Sequence, residues 1–325
     1  MELRKIQRTK TGTFFVCLPK DWAEKNGLER GSVVAISETS DGRLIINPKY
    51  SAERVLREIT LKPSPYLDRE ITGKYLLGYD VIKVESKERI MPEDREKVKR
   101  AASRLVGLEI VEEDYSKIVL QCLLEPSSFP PEKVLRREYA IAASMHRDAA
   151  TALLDDDKRL AKNVVARDDE VNRFYFLLVR ILRTVIQNPG LGEKLGILPI
   201  NCLDYRITSS LVESIGDQSA QLARDVIEYK GNKPSKEHAE LIMQLHSAVY
   251  DSHETAIKAL FLHDVSLAES VRNMQSKIKD LREKIQRKIR QGKTAQYLFS
   301  AISHLTRIYE NSVDIADLVI PRLSA

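Results

Sequence analysis

From about Pro131 onward the chain repeats itself. At one constant offset the stretch HRDAATALLDDDKRLAKNV lies over HETAIKALFLHDVSLAESV. His146 then matches His253, Ala149 matches Ala256, Ala152 matches Ala259, Leu153 matches Leu260, Asp157 matches Asp264, and Leu160-Ala161 match Leu267-Ala268. Past a connector at Asn188 to Pro199 the alignment resumes, with Ile215 on Ile308, Asp217 on Glu310 and Ala223 on Ala316. A tandem repeat restricts the fold, because each copy is one supersecondary unit that buries its apolar face against a neighbour. Only Asn188-Pro189-Gly190, Gly192, Gly196, Pro199, Gly231 to Pro234 and Gly292 interrupt an otherwise helical pattern. Helices are predicted over Pro131 to Leu154, Asp156 to Gln187, Ile200 to Tyr229, Ser235 to Leu262, Asp264 to Arg290 and Lys293 to Leu323. Long helices joined by short turns pack as antiparallel neighbours, so the region is expected to form two three-helix repeats, 131–231 and 235–325.

The third helix of the first repeat carries the most unusual residues. Ile207, Leu211, Ile215, Ala220, Leu222, Ala223, Val226 and Ile227 follow the spacing of a buried stripe. Within it, Glu213-Ser-Ile-Gly-Asp217 puts two carboxylates on one helix face beside a glycine. A mid-helix glycine costs about 1 kcal/mol relative to Ala, so Gly216 implies the close approach of another helix or an ion. The plainer reading is a solvated acidic face next to a packing glycine. His146 and His253 occupy equivalent positions, but neither has the i, i+4 imidazole partner usual for a metal ligand. They are expected not to be ligands, and His238, His246, His263 and His304 show no constellation in sequence.

The chain ahead of the repeats has two further compositions. Residues 1–50 read as short strands turned at Thr11-Gly12 and Asp41-Gly42 around a short helix at Asp21 to Asn26. Fifty residues of this kind bury little surface, so the segment is expected to need a second copy. Arg4, Lys5, Arg8 and Lys10 crowd before the first turn and Lys20 follows the second strand, a set able to face phosphates; Glu2, Asp21, Glu24 and Glu29 dilute it. Residues 51–126 are mixed: REITL, Pro65 to Leu77, YDVIKVES, Pro92 to Leu105, LEIVEED and SKIVLQCLL read as strand, helix, strand, helix, strand, strand. This α+β segment shows no Gly-rich phosphate loop and no nucleophile set beside a base. It reads as a connector, with ligand binding as the alternative.

With 325 residues and a net charge of only +5, charge alone does not announce a nucleic-acid partner. No stretch reaches the roughly 20 apolar residues of a membrane span and no signal peptide opens the chain, so a cytoplasmic protein without membrane insertion is expected. Cys17, Cys122 and Cys202 lack metal-binding spacing and are expected to be buried thiols.

The order strand, glycine turn, strand ending in Leu18-Pro19-Lys20, helix, Gly27-Leu28, Gly31-Ser32-Val33-Val34 and DGRLII resembles the AbrB/SpoVT swapped-hairpin family. That resemblance implies an N-terminal β-barrel of two interleaved chains, a homodimer through residues 1–50, with DNA contacts from Arg4, Lys5, Arg8, Lys10 and Lys20. The repeat, with ESIGDQSAQLARDVI in its third helix and ARDDEVNRFYFLL in its second, resembles the PhoU family of phosphate-signalling proteins. The resemblance implies tandem three-helix bundles with E(D)xxxD motifs that hold metal ions. In the first repeat Glu213 and Asp217 complete one motif, while the second-helix motif runs from Asp168 to Asn172, an amide, with Asp169 and Glu170 nearby. Asp168, Glu213 and Asp217 are therefore the candidate ligands for a divalent metal, Mg, Mn, Fe or Zn. The second repeat has Thr306, Glu310, Gln275 and Lys279 at these positions and is expected to hold no metal, its lysine neutralising the lone carboxylate. The whole is expected to be multidomain: a swapped-hairpin barrel, a small α+β connector, and all-α tandem bundles. The implied function is non-enzymatic, a regulator of phosphate uptake that binds DNA through its barrel. The alternative is an adaptor without DNA that dimerises and docks on a phosphate transporter or signalling kinase.

Overall fold

A computed structural model describes residues 2–38, 42–48, 56–231, 233–289 and 293–321. The chain divides into two compact units, Met1–Leu56 and Arg57–Ala325. In the first, β1 (Gln7–Arg8) pairs antiparallel with β2 (Phe14–Phe15), placing Arg8 across from Phe14. Gly12 closes that turn at φ +97°, a backbone region that favours glycine, and donates its N–H to the Thr9 carbonyl. After α1 (Lys20–Lys25), β3 (Ala35–Glu38) pairs antiparallel with β4 (Leu44–Asn47). Asp41 of the expected second turn lies outside the described residues, as does Gly292 of the last expected break. None of the described residues of this unit is buried. Cys17 is accordingly exposed rather than buried, whereas Cys122 and Cys202 are buried.

The second unit begins with a four-stranded sheet in the order β5 (Glu58–Leu61), β6 (Val81–Glu85), β8 (Lys117–Cys122), β7 (Leu108–Glu113). β5 and β6 are parallel because α2 (Leu67–Leu76) crosses between them, and the other pairings are antiparallel. α2 and α3 (Pro92–Ser103) bury Leu67, Ile71, Tyr75, Val98 and Ala101 with Ile82, Val84, Ile118 and Leu120 of the sheet. Gly78 and Gly107, at φ +83° and +72°, make the turns into β6 and β7.

The rest is helical: α4 (Pro131–Asp155), α5 (Lys158–Gln187), α6 (Pro189–Leu195), α7 (Asn201–Glu228), α8 (Lys236–Leu262), α9 (Val265–Asn273), α10 (Gln275–Lys288) and α11 (Lys293–Asp317). α4, α5 and α7 form one bundle; α8 and α11 with α9 and α10 form the other; α7 packs on α11 and α4 on α8. Two departures from the sequence reading have local causes. Pro189 opens α6 at its first position, where a missing N–H costs nothing, so the supposed breaker starts a helix. The fifth helix stops and restarts at Met274, giving α9 and α10 where one helix was expected.

Each copy turns from its first helix to its second through the same corner. α4 ends on Asp156 and α8 on His263, both left-handed at φ 55° and the only described residues other than glycine with positive φ. The next residue in each case caps the following helix: Asp157 accepts from the Arg159 and Leu160 amides, and Asp264 from the Leu267 amide. α5 is common to the bundle and the sheet. Its Phe176 packs into the sheet core, and its buried Arg180 donates to the Tyr79 carbonyl at 2.9 Å and lies 3.3 Å from Asp80. Arg57, just ahead of β5, donates to Gln187, the last residue of α5, 2.7 Å away.

Candidate functional site

Gly216 sets the first bundle's polar centre. A Cβ built on it would stand 3.3 Å from Cγ1 of Val171 on α5, so the mid-helix glycine serves the approach of a helix. That approach brings Asp168 of α5 toward Glu213 and Asp217 of α7. Burial pushes the Glu213 carboxyl up to about 7, helped by the charges of Asp217 and Asp168 and opposed by Arg206. Asp217 is also raised, by burial and by the charge and hydrogen bond of Asp168, with Arg224 opposing. Arg224 donates to Asp168 at 3.2 Å. The Asn172 amide turns away, donating 3.1 Å to the Asp168 carbonyl, and Glu170 pairs with Arg137 at 3.1 Å. Only Asp168 of the second-helix acids therefore belongs to the group.

A fourth carboxyl, which sequence reasoning missed, stands next to these. Glu138 of α4 is fully buried, accepts from Ser209 at 2.7 Å through Oε2, and leaves Oε1 without a partner; the buried Thr208 hydroxyl also lacks one. Burial holds Glu138 well above the ordinary carboxylate range, with Glu213 adding to the rise and the Ser209 hydrogen bond opposing it, so burial favours the neutral form. The signal was present: Glu138 interrupts the apolar stripe of Leu135, Ala142 and Met145, and its equivalent in the second repeat is Leu245. The donor chemistry of the group, oxygen throughout, fits a hard divalent cation, which would relieve the repulsion that raises Glu213. Among the described residues, however, no three acidic, imidazole or thiol groups are drawn together as a ready-made metal set.

The second repeat keeps the backbone and discards the acids. Thr306 of α11 returns its hydroxyl to the Ile302 carbonyl at 2.7 Å. Glu310 pairs with Arg307 of its own helix at 3.0 Å, not with Lys279 as expected. Gln275 is the first residue of α10, directly after the break at Met274, so the second-helix motif position lies at an interruption.

Where α4 meets α8 the structure overturns a sequence expectation. His246, thought to lack company, joins His146 and His253 in a buried chain. The Tyr139 hydroxyl lies 2.8 Å from His253 Nδ1, His253 Nε2 lies 3.0 Å from His146 Nδ1, and His146 Nε2 lies 3.1 Å from His246 Nδ1. The chain is a palindrome of the repeat: His146 corresponds to His253 and Tyr139 to His246. Burial lowers all three imidazoles. His253 falls to about 3 and His246 to about 4, each with Arg147 contributing, and His146 lies well below its ordinary value with the other two imidazoles adding to the effect. A neutral chain satisfies every link by donating in one direction throughout. Because each central nitrogen is used by its neighbour, the histidines act as a polar seam between the repeats.

In the N-terminal unit the basic residues are exposed but unevenly free. Arg4 pairs with Glu2, Lys20 lies 3.7 Å from Glu24, and the Arg8 guanidinium sits 5.3 Å from the centroid of the Phe14 ring. Lys5 and Lys10 have no side-chain partner among the described residues. Around them Leu3, Ile6, Phe14, Phe15, Val16, Val33, Ile36, Leu44 and Ile45 lie open to solvent.

Residues 135–226 and 242–319 match the PhoU domain, and residues 7–53 match the antidote-toxin recognition domain MazE of bacterial antitoxins. No curated protein matches the chain. Among solved structures, PhoU from Pseudomonas aeruginosa superposes with a TM-score of 0.52 at 21% identity, covering 58% of this chain and 93% of that one. The phosphate transport system regulatory protein PhoU from Streptococcus pneumoniae gives 0.50 at 18%, covering 58% and 91%. At such identities the superpositions establish the fold of the helical region. Neither family match extends over the sheet of β5 to β8.

Proposed function

This chain belongs to the PhoU domain family, and from that premise we propose that it regulates phosphate uptake or its signalling as a transcriptional regulator. Residues 1–50 of two copies form the DNA-gripping barrel, and the tandem bundles sense or dock. The observation that carries this reading is the pairing, in one chain, of a PhoU repeat with an N-terminal MazE-like unit that buries none of its described apolar side chains and exposes nine large ones. Nine large apolar residues open to water in so small a unit call for a matching surface, and a second copy supplies one. Lys5, Arg8 and Lys10 are then doubled across the dimer, the arrangement that phosphate backbones attract.

A second reading, the adaptor that docks on a transporter or kinase without touching DNA, is favoured by one feature. Arg4 and Lys20 are occupied by Glu2 and Glu24, which thins the basic set. No helix among the described residues is long and apolar enough to cross a membrane, so docking would be peripheral. In the first bundle, Asp168, Glu213 and Asp217 would hold a divalent cation, whose role would be to neutralise the acidic centre and fix α5 against α7. Genome-wide binding of the tagged protein under scarce and abundant phosphate tests the choice. Discrete chromosomal sites whose occupancy follows phosphate support the regulator; their absence, with a membrane transporter or kinase recovered as partner, replaces it by the adaptor.

A further inference from the structure

The sheet region is the part of the chain that neither family match covers, and its helices carry a charged cleft. α2 and α3 lie side by side on one face of the sheet. Between them opens a cavity of about 450 Å³, lined by Asp68, Arg69, Thr72, Gly73 and Leu76 of α2, by Arg100, Ala101 and Arg104 of α3, and by Phe176 of α5. Three guanidiniums face one carboxylate. Arg100 reaches Asp68 only at 3.5 Å, and the side chains of Arg69 and Arg104 have no partner among the described residues. The floor is apolar, made by Leu76, Ala101 and the half-buried Phe176. No side chain fills the wall at Gly73, where a Cβ would meet nothing within 4 Å.

Helix electrostatics account for only part of this arrangement. Arg100 and Arg104 stand at the C-terminal end of α3, where cations complement the helix dipole. Arg69 does not fit that account: it lies in the first turn of α2, beside Asp68 and Glu70, at the end of a helix that favours acids. Its charge is balanced if an anion occupies the cleft, where the α2 amino end adds to the attraction. The volume lies within the range of small-molecule sites, and the combination of an arginine rim with an aromatic wall selects a ligand with both an anionic and a flat apolar part.

We propose that the cleft between α2, α3 and α5 binds a nucleotide, with its phosphates on Arg69, Arg100 and Arg104 and its base against Phe176. Such a ligand touches α5 directly. That helix also carries Arg180, bound to the sheet at Asp80, and Asp168 of the acidic group in the first bundle. The site therefore gives the sheet a role that a passive connector lacks: it reports a small molecule to the helix shared by both cores.

Isothermal titration calorimetry on the full chain, with ATP, AMP, inorganic pyrophosphate and adenosine as separate probes, tests the proposal. Expected is saturable binding of ATP or AMP, at least tenfold weaker in Arg69→Ala with Arg104→Ala, and severalfold weaker in Phe176→Leu. All three positions are exposed or half-buried, and thermal melting verifies that each variant folds. Glu213→Gln should leave the binding intact. Pyrophosphate binding as tightly as ATP would remove the base from the proposal and overturn the nucleotide assignment. Absence of any binding at millimolar probe, or binding that the arginine variant does not weaken, would overturn the site itself.

Discussion

The two helical repeats share a backbone plan and differ in what they bury. Both turn from their first to their second helix through a left-handed residue followed by an aspartate cap, Asp156-Asp157 and His263-Asp264. The first repeat then gathers Glu138, Asp168, Glu213 and Asp217; the second has Leu245, Gln275, Thr306 and Glu310 at the matching positions. Caps and corners depend on backbone groups that every copy must satisfy, so they persist through duplication. A buried acidic group has to be relieved by protons, arginines or a cation, and a copy that does not use it is more stable without it. The contrast therefore leaves the acidic group in the first repeat alone, on the backbone plan that both repeats share.

The largest expected effect lies on the seam between the repeats. His146, His246 and His253 are held neutral in the folded chain, with values of about 4 for His246 and about 3 for His253. Unfolded, each takes up a proton near pH 6.5. A base with a depressed folded pKa contributes stability that is complete above the unfolded value and is lost as pH falls below it. The facing charges are Arg147 on α4, which lowers His246 and His253, and Asp251 on α8, which raises His246. Tyr139 and Tyr250 also flank the chain. Each histidine contributes a slope of about 1.4 kcal/mol per pH unit, so three approach about 4 kcal/mol per unit below pH 6. Glu138 and Glu213 act oppositely, because their raised values let the folded chain take protons first. Replacing both by Gln should expose the full histidine slope in urea denaturation between pH 7 and 5. A flat profile in that variant would dismiss the seam as the acid-labile joint.

Metal loading should separate the repeats next. Glu213→Ala with Asp217→Ala should abolish stoichiometric divalent metal measured by elemental analysis, while Glu310→Ala should not. Bound metal at a hundred times its dissociation constant adds about 2.7 kcal/mol to stability, so a melting shift should accompany it in the parent and vanish in the double variant. A metal that survives the first pair and leaves with Glu310 reverses the assignment of the two halves.

Gly216→Ala should cost on the order of 1 kcal/mol despite the better helix propensity of Ala, because its Cβ would press on Val171 at 3.3 Å. Thermal unfolding measures the balance, and a stabilised variant would mean that α5 and α7 part easily at this level.

How far these features were legible depends on whether their cause is local. Helix ends at Asp157, Asp264 and Ser235 are written in their own capping residues, and the sheet's order of elements in its short apolar runs. The Glu213–Asp217 pair was legible because both residues share one helix. Glu138 showed only as a carboxylate interrupting an apolar stripe, since its meaning depends on Ser209 and Glu213 arriving from another helix. The histidine seam escaped because its links join residues a hundred or more positions apart. Extending the repeat two turns further back pairs Tyr139 with His246 and points to it. The break at Met274 has no glycine or proline to announce it, and Pro189 announced a stop where a helix begins.

The smallest effect tests whether the two corners are equivalent in energy as well as in geometry. Asp156 and His263 each hold φ 55°, a region that penalises residues with a Cβ and that glycine enters freely. Asp156→Gly should therefore stabilise the chain by roughly 0.5 kcal/mol, the gain from released strain being partly cancelled by the greater entropy of glycine in the unfolded chain. His263→Gly relieves the same strain but also removes the contact of His263 Nδ1 with the Ile320 carbonyl at 3.1 Å, which tethers the segment after α11. Its net effect should fall near zero, so the first corner should gain and the second should not. Equal gains from both substitutions would mean that the histidine tether contributes nothing, and that the corners remain interchangeable although the bundles they join have diverged.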